Sequence, residues 1–254
     1  MVAASALTAG CALFQHVHVP GAALSEVDVP LHGHELKVRL STPGRAKTDR
    51  QLLLLYATGD AGWFGKDLAI FDAVAAWGYP AAGFSAREYV HHIGPDPLEP
   101  REVATDYVQI ITAAETALRL PAETRVVLVG KSRGAGLAVA AAGSPELKQE
   151  LDGVLAVGLT KEEEYVRREK GTRPRQFVML QTYPNLPALG ALPVAVIQSS
   201  NDQYVPAAEA RQLFGPDTDV RLFVPIEADD HNFSGALDTM YAEMERAFHW
   251  IVER

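Results

Sequence analysis

The stretch Val126-Val127-Leu128-Val129-Gly130-Lys131-Ser132-Arg133-Gly134 constrains the fold more than any other part of the chain. Four apolar, mostly β-branched residues lead into G-x-S-x-G, and the small-residue run Ala135 to Ala142 follows. A buried strand that turns sharply into a helix, with Ser132 at the apex, is the arrangement that exposes a nucleophilic hydroxyl at the edge of an α/β sheet. Gly130 and Gly134 have a steric reason. A Cβ on either side of so tight an apex would collide or force an unfavourable dihedral.

The rest of the composition sets bounds. A chain of 254 residues with 48% hydrophobic residues buries a full core and is expected to form one α/β domain. The formal net charge of −9 argues against a nucleic-acid partner, whose binding depends on neutralising phosphates. It also disfavours a broad polybasic surface for anionic membranes, although a local membrane-surface contact stays open. Cys11 is the single cysteine, so no internal disulfide is expected. A monomer is expected.

Residues 1–21 read as a tether ahead of a domain over 22–254. Met1 to Phe14 is uncharged and apolar but too short to span a bilayer. Within it, Leu7-Thr8-Ala9-Gly10-Cys11 resembles a bacterial lipoprotein cleavage site, which would make Cys11 a lipid anchor. No Lys or Arg precedes Lys37, so the positive n-region of a secretory signal is missing from these residues. Either translation starts further upstream or the match is accidental.

The alternation of Ser25 to Pro30 and of Glu35 to Ser41 predicts two half-exposed strands about a turn at His32-Gly33-His34. The His-x-His pairs at 16/18 and 32/34 lack accompanying carboxylates or cysteines, so they read as surface histidines and no metal site is expected. Leu52 to Ala57 is an uninterrupted apolar run, as expected of a central strand covered on both faces. It ends in the glycine-rich loop Thr58-Gly59-Asp60-Ala61-Gly62-Trp63, where the Asp60 side chain is free to cap the next helix. Helices are predicted over Lys66–Gly78 and Glu102–Leu120, with Pro80–Phe84 a strand and His91–Pro100 a loop bordering a cleft. After the elbow, Leu151–Leu159 reads as a strand. The acid-first pairs Glu163/Arg167 and Glu164/Arg168 predict a solvated helix within Lys161–Arg175, and residues 161–192 as a whole read as a small lid. Strands over Pro193–Ser199 and Val220–Pro225 and helices over Ala207–Phe214 and Gly235–Glu253 complete a mostly parallel sheet covered by helices on both faces.

A serine hydroxyl needs a base, and the base needs a third group to hold its tautomer. Asp202 follows one predicted strand end and His231 the next, giving Ser132, Asp202, His231 in the chain order this architecture uses. His91 and His92 precede the serine and break that order, and His249 lies inside the closing helix. Asp229 and Asp230 flank His231 too closely to support its ring, so they read as solvated or capping residues. The expected oxyanion hole is the backbone N–H of Arg133 together with that of Asp60. No organic cofactor is implied.

The Thr58–Trp63 loop, the Gly130–Gly134 elbow and the Asp202/His231 ending together resemble the VirJ/AcvB family of bacterial virulence proteins, which are α/β-hydrolases. Ser85-Ala86-Arg87 is similar to a further segment of that family, and the resemblance runs from about Gln51 to the C-terminus. Departures are Ala61 where a second glycine is usual, and Lys131 and Arg133 where Tyr and Phe are usual. The resemblance implies a periplasmic or envelope location and hydrolysis of the aminoacyl ester of lysyl-phosphatidylglycerol, a lipid ester substrate. Two alternatives stand beside it: a non-catalytic binding protein of an envelope or secretion assembly on the same scaffold, and a cytoplasmic location.

Overall fold

The computed structural model describes residues 22–47, 50–94, 98–166 and 177–254. The predicted tether, Cys11 and the His16/His18 pair lie outside them. Strands β1 (Ala23–Leu31) and β2 (His34–Thr42) form an antiparallel hairpin. His32 and Gly33 at its tip both have positive φ, 48° and 81°, the twist that joins two strands through two residues. The chain then runs through β3 (Leu52–Ala57), α1 (Lys66–Ala76), β4 (Ala81–Phe84), the short α2 (Ala86–Glu88), α3 (Pro100–Leu118), β5 (Arg125–Lys131), α4 (Arg133–Ala142), α5 (Pro145–Lys148) and β6 (Leu151–Val157). A small hairpin of β7 (Glu162–Val166) and β8 (Phe177–Gln181) follows, then β9 (Val194–Ser199), α6 (Ala207–Phe214), β10 (Arg221–Ile226) and α7 (Leu237–Val252).

Eight strands form one sheet in the order β1-β2-β4-β3-β5-β6-β9-β10. β2 runs antiparallel to β1 and β4, and the six strands from β4 to β10 are parallel. The continuous apolar runs resolve into two cores because successive side chains of a strand leave opposite faces. Leu53, Leu55, Val126, Leu128, Val154 and Val196 pack under α3 and α4. Leu52, Leu54, Tyr56, Val127, Val129, Leu155 and Ile197 pack under α1 and α7. Since the central strands are parallel, their C-terminal ends share one edge of the sheet, and the loops after β3, β5, β6, β9 and β10 meet there. That edge is where open α/β sheets build their sites.

Two expectations need correction. The predicted solvated helix after Lys161 is a strand instead, β7, antiparallel to β8. Its acid-rich face does not all point to water: Glu162 is exposed while Glu163 is buried, and the Glu163 carboxylate accepts from the Thr160 hydroxyl at 2.6 Å. The intended partners Arg167 and Arg168 lie outside the described residues. The segment after Glu88 is also not plain loop. Tyr89–Ile93 makes one π-helical turn, closed by Gly94 N–H to the Tyr89 carbonyl at 2.7 Å, before the chain reaches α3.

That turn is tied to the hairpin tip. Asp106 of α3 is 1% exposed, and it accepts the Tyr89 hydroxyl at 2.6 Å while its two oxygens lie 2.8 and 3.0 Å from His32 Nε2. His32 is therefore a structural tie, not only a surface residue.

On the opposite face, the Phe248 ring is fully buried and stacks on Trp77 with centroids 4.8 Å apart. Phe248→Ala is expected to lower unfolding free energy by roughly 3–5 kcal/mol, measured by chemical denaturation, because α7 cannot collapse into the space the ring leaves.

Candidate active site

Strand β5 turns sharply into helix α4. Ser132 lies between β5 and α4 with φ 51° and ψ −116°, a conformation that costs a non-glycine residue about 1–3 kcal/mol. Its neighbours hold it there: the Ser132 N–H donates to Val157 O at 2.8 Å, and the Ser132 carbonyl accepts from Ala135 and Gly136. A Cβ on Gly134 would fall 2.1 Å from the Ala57 carbonyl oxygen, and one on Gly130 would fall 2.3 Å from that of Gly134. Helix α4 can approach β3 this closely only because position 134 is glycine, and it can fold back on the end of β5 only because position 130 is.

The acid and the imidazole meet. Asp202, 1% exposed in the loop after β9, accepts His231 Nδ1–H at 2.6 Å on one oxygen. Gln198 donates to the same oxygen at 2.9 Å, and the backbone N–H groups of Tyr204 and Val205 donate to the other at 2.8 and 3.1 Å. Every side of the carboxylate is engaged, so its direction is fixed and the imidazole with it. His231 is 5% exposed, its N–H is accepted by Gln203 Oε1 at 3.1 Å, and the Tyr204 ring meets the imidazole edge to face at 4.9 Å. Gly158, at φ 64°, lies against the imidazole, and a Cβ there would stand 3.0 Å from Cε1. The His231 Nε2 is buried without a hydrogen-bond partner among the described residues. Ser132 and His231 line one cleft of about 620 Å³.

The glycine-rich loop is held from beneath. Asp67, 2% exposed in α1, accepts the Gly59 N–H at 2.6 Å and the Tyr56 hydroxyl at 2.7 Å. With the Gly59 donor engaged there, the next along the loop is the Asp60 N–H, which is the second expected oxyanion donor. From above, Thr58 Oγ1 accepts the Ala86 N–H at 3.1 Å and Arg87 Nη1 reaches the Asp60 carbonyl at 3.3 Å. The Ser85-Ala86-Arg87 segment therefore grips the loop. Trp63 anchors its far end, edge-on to Phe71 at 5.4 Å and under the Arg39 guanidinium at 4.5 Å.

The Asp60 side chain caps no helix, contrary to expectation. Gly65 precedes α1, and the Asp60 carboxylate instead pairs with Arg133 Nη2 at 3.0 Å and lies 3.8 Å from His91 Nε2. His91 first, and then the guanidinium groups of Arg133 and Arg87, hold the Asp60 carboxyl down at about 2 against the opposing cost of its partial burial. The His91 hydrogen bond and the two guanidinium groups together outweigh that cost. Arg133 also faces Glu163, with Nε 4.0 Å from Oε2. Burial pushes the Glu163 carboxyl upward, and the Thr160 hydroxyl and the Arg133 charge offset only part of that. Besides His231, the cleft is thus lined by three acids, Asp60, Glu162 and Glu163, and by three Lys or Arg side chains, Lys131, Arg133 and Lys161. Asp230 Oδ1 accepts the N–H groups of Asn232 and Ser234, the capping role expected of it.

Sequence reasoning missed Asp67, Gly158, Gln198, Glu163 and Asn232. Gly158 and Gln198 each flank a strand end and carried a weak local signal; the others act through contacts made only in three dimensions. Among the described residues there is no cluster of His, Cys, Asp and Glu able to hold a metal ion, and no helix long and apolar enough to cross a membrane.

The family model described as bacterial virulence protein (VirJ) matches residues 51–198, more than half of the chain, covering the glycine-rich loop and the elbow but ending before Asp202 and His231. No curated protein sequence matches the chain. Among solved structures, an esterase of Pyrococcus furiosus superposes with a TM-score of 0.65 at 12% identity, over 91% of this chain and 93% of that one. An alpha-beta serine hydrolase homologue from Coxiella burnetii gives 0.63 at 16% identity, over 87% and 96%. The esterase domain of a Rhodothermus marinus protein gives 0.61 at 21% identity, over 91% and 99%. These likenesses show the α/β-hydrolase fold.

The Asp60 titration gives a direct check of the cleft electrostatics. Because its folded value lies below the ordinary one, Asp60 contributes its stabilisation fully above the usual carboxylate range and loses it as pH falls toward about 2. With 59% of the side chain exposed, that contribution is small. Carboxyl NMR is expected to place the Asp60 midpoint near about 2, and His91→Ala to move it upward.

Proposed function

The chain belongs to the VirJ family of bacterial virulence proteins, and on that premise we propose that it is a serine hydrolase that cleaves a carboxylic ester. The observation that carries this reading is the Asp202–His231 pair, bonded at 2.6 Å, whose imidazole lines the same cleft as a strained Ser132. In this mechanism the Ser132 Oγ attacks the ester carbonyl carbon while His231 Nε2 takes its proton. Asp202 keeps the proton on Nδ1 and stabilises the imidazolium. The tetrahedral oxyanion is held by the N–H groups of Arg133 and Asp60, each worth ~3 kcal/mol of barrier in sites of this kind. Collapse breaks the ester C–O bond, and the imidazolium protonates the departing alcohol. Water activated by His231 then releases the acid from Ser132.

The substrate proposed is the aminoacyl ester of lysyl-phosphatidylglycerol. The charge pattern of the cleft supports it: Asp60, Glu162 and Glu163 suit the ammonium groups of a lysyl moiety, and Arg133 and Lys161 suit a phosphodiester. Acting on such a lipid goes with a periplasmic or envelope location, a membrane-surface contact and an anchor at Cys11, for a protein working as a monomer.

Incubation with lysyl-phosphatidylglycerol and with plain phosphatidylglycerol, following free lysine and lipid products, tests both levels. Release of lysine from the former is expected, reduced about 10³-fold or more by Ser132→Ala with the fold intact. Glu163→Gln is expected to raise KM for the lysyl lipid several-fold while kcat changes little. Full activity in Ser132→Ala would overturn the mechanism, and turnover of neutral esters without lysine release would overturn the substrate.

A further inference from the structure

We propose that Lys131 is a positioning residue that locks together the two loops flanking Ser132, an inference that rests on the hydrolase reading above. Lys131 ends β5 and immediately precedes the serine, yet its side chain does not point to open solvent; the residue is 6% exposed. Its Nζ donates to Asn232 Oδ1 at 3.1 Å and lies 3.8 Å from Asp67 Oδ2. It is also packed beneath the glycine-rich loop, since a Cβ on Gly59 would be only 3.3 Å away from it. One ammonium group therefore touches three segments distant in sequence: the residue after His231, the loop that carries the Asp60 N–H, and the carboxylate that fixes that loop.

Each of these contacts has a consequence for reacting atoms. Asp67 is the acceptor that directs the Gly59 N–H, and through it the orientation of the following peptide. The charged group facing this buried carboxylate is Lys131, with Nζ 3.8 Å from Oδ2. The histidine loop has no regular secondary structure of its own, and Phe233 within it sits at φ 57°. Lys66 fixes the outer side of that loop through Asn232 O at 2.8 Å and Ser234 Oγ at 3.0 Å, and Lys131 fixes the inner side through the Asn232 side chain. Loss of Lys131 frees both loops at once, and small displacements of groups that must meet a reacting carbonyl lower the rate far more than they weaken binding.

A different role, contact with an anionic part of the substrate, predicts a loss in KM. Steady-state kinetics on a small neutral p-nitrophenyl ester separate the two. For Lys131→Met, kcat is expected to fall about 100-fold with KM within about twofold. Lys131→Arg, which keeps the charge, is expected to recover at least about tenfold of that loss. Asn232 is exposed, so Asn232→Ala leaves folding undisturbed and keeps the proposal decidable if Lys131→Met does not fold. It is expected to lower kcat about fivefold to tenfold, and to add little when combined with Lys131→Met, because the two changes remove the same contact. Unchanged kcat in Lys131→Met or Asn232→Ala, a loss confined to KM, or full additivity in the double variant would each overturn the positioning role while leaving the hydrolase reading intact. A wild-type protein that turns over no ester would overturn both.

Discussion

Everything at the site depends on a serine held in a backbone conformation it would not choose. Ser132 stays at φ 51° because the close approach of α4 to β3, through Gly134 against the Ala57 carbonyl, leaves the chain no other path from β5 into the helix. That approach is stabilised by the two apolar cores on either face of the sheet, which together far exceed the local strain of about 1–3 kcal/mol. The hydroxyl is thereby placed at the head of α4 and at the C-terminal edge of the parallel strands, where the loops carrying Asp202 and His231 also emerge. The strain is a local cost of global packing, and its direction is fixed before any substrate arrives.

Around the serine, polar groups are arranged to leave little freedom. The Asp202 carboxylate is engaged on both oxygens, and its four donors come from β9, the loop after it and the loop after β10. A buried carboxylate satisfied this fully does not reorient, so it transmits a fixed direction to the imidazole. Asp67 does the same for the glycine-rich loop. The cleft itself is different in kind: its acids and bases run from the buried Lys131 and Glu163 to the exposed Asp60, Lys161 and Glu162, and they compensate one another, with Arg133 between Asp60 and Glu163. Buried, fully bonded carboxylates thus lie beneath the cleft, and a mixed charge field lines it.

Much of this was legible in the chain. The strands of the sheet announce themselves as apolar runs such as Leu52 to Ala57, because a doubly covered strand has no polar face to interrupt the pattern. The elbow is legible because its glycines answer a local steric demand, and Asp202 and His231 because chain order and strand ends narrow the choice. What stayed hidden depends on distant partners. Glu163 and Glu164 look like members of a solvated helix until β8 pairs beside them and Thr160 takes Glu163 inward. The Asp60 carboxylate looks like a helix cap until Arg133 and His91 arrive from other segments. Asp67 and Asn232 carry no signal at all, because nothing in their neighbours' sequence states that Lys131 will lie between them.

The central claim is that the Ser132 hydroxyl is a nucleophile made reactive by His231. Intact-mass and peptide-level mass spectrometry after treatment with a small fluorophosphonate measures this directly. One covalent adduct per chain is expected, located on Ser132, and its rate of formation should fall by orders of magnitude in His231→Ala. A protein that stays unmodified, or one whose adduct sits on another residue, would contradict the claim.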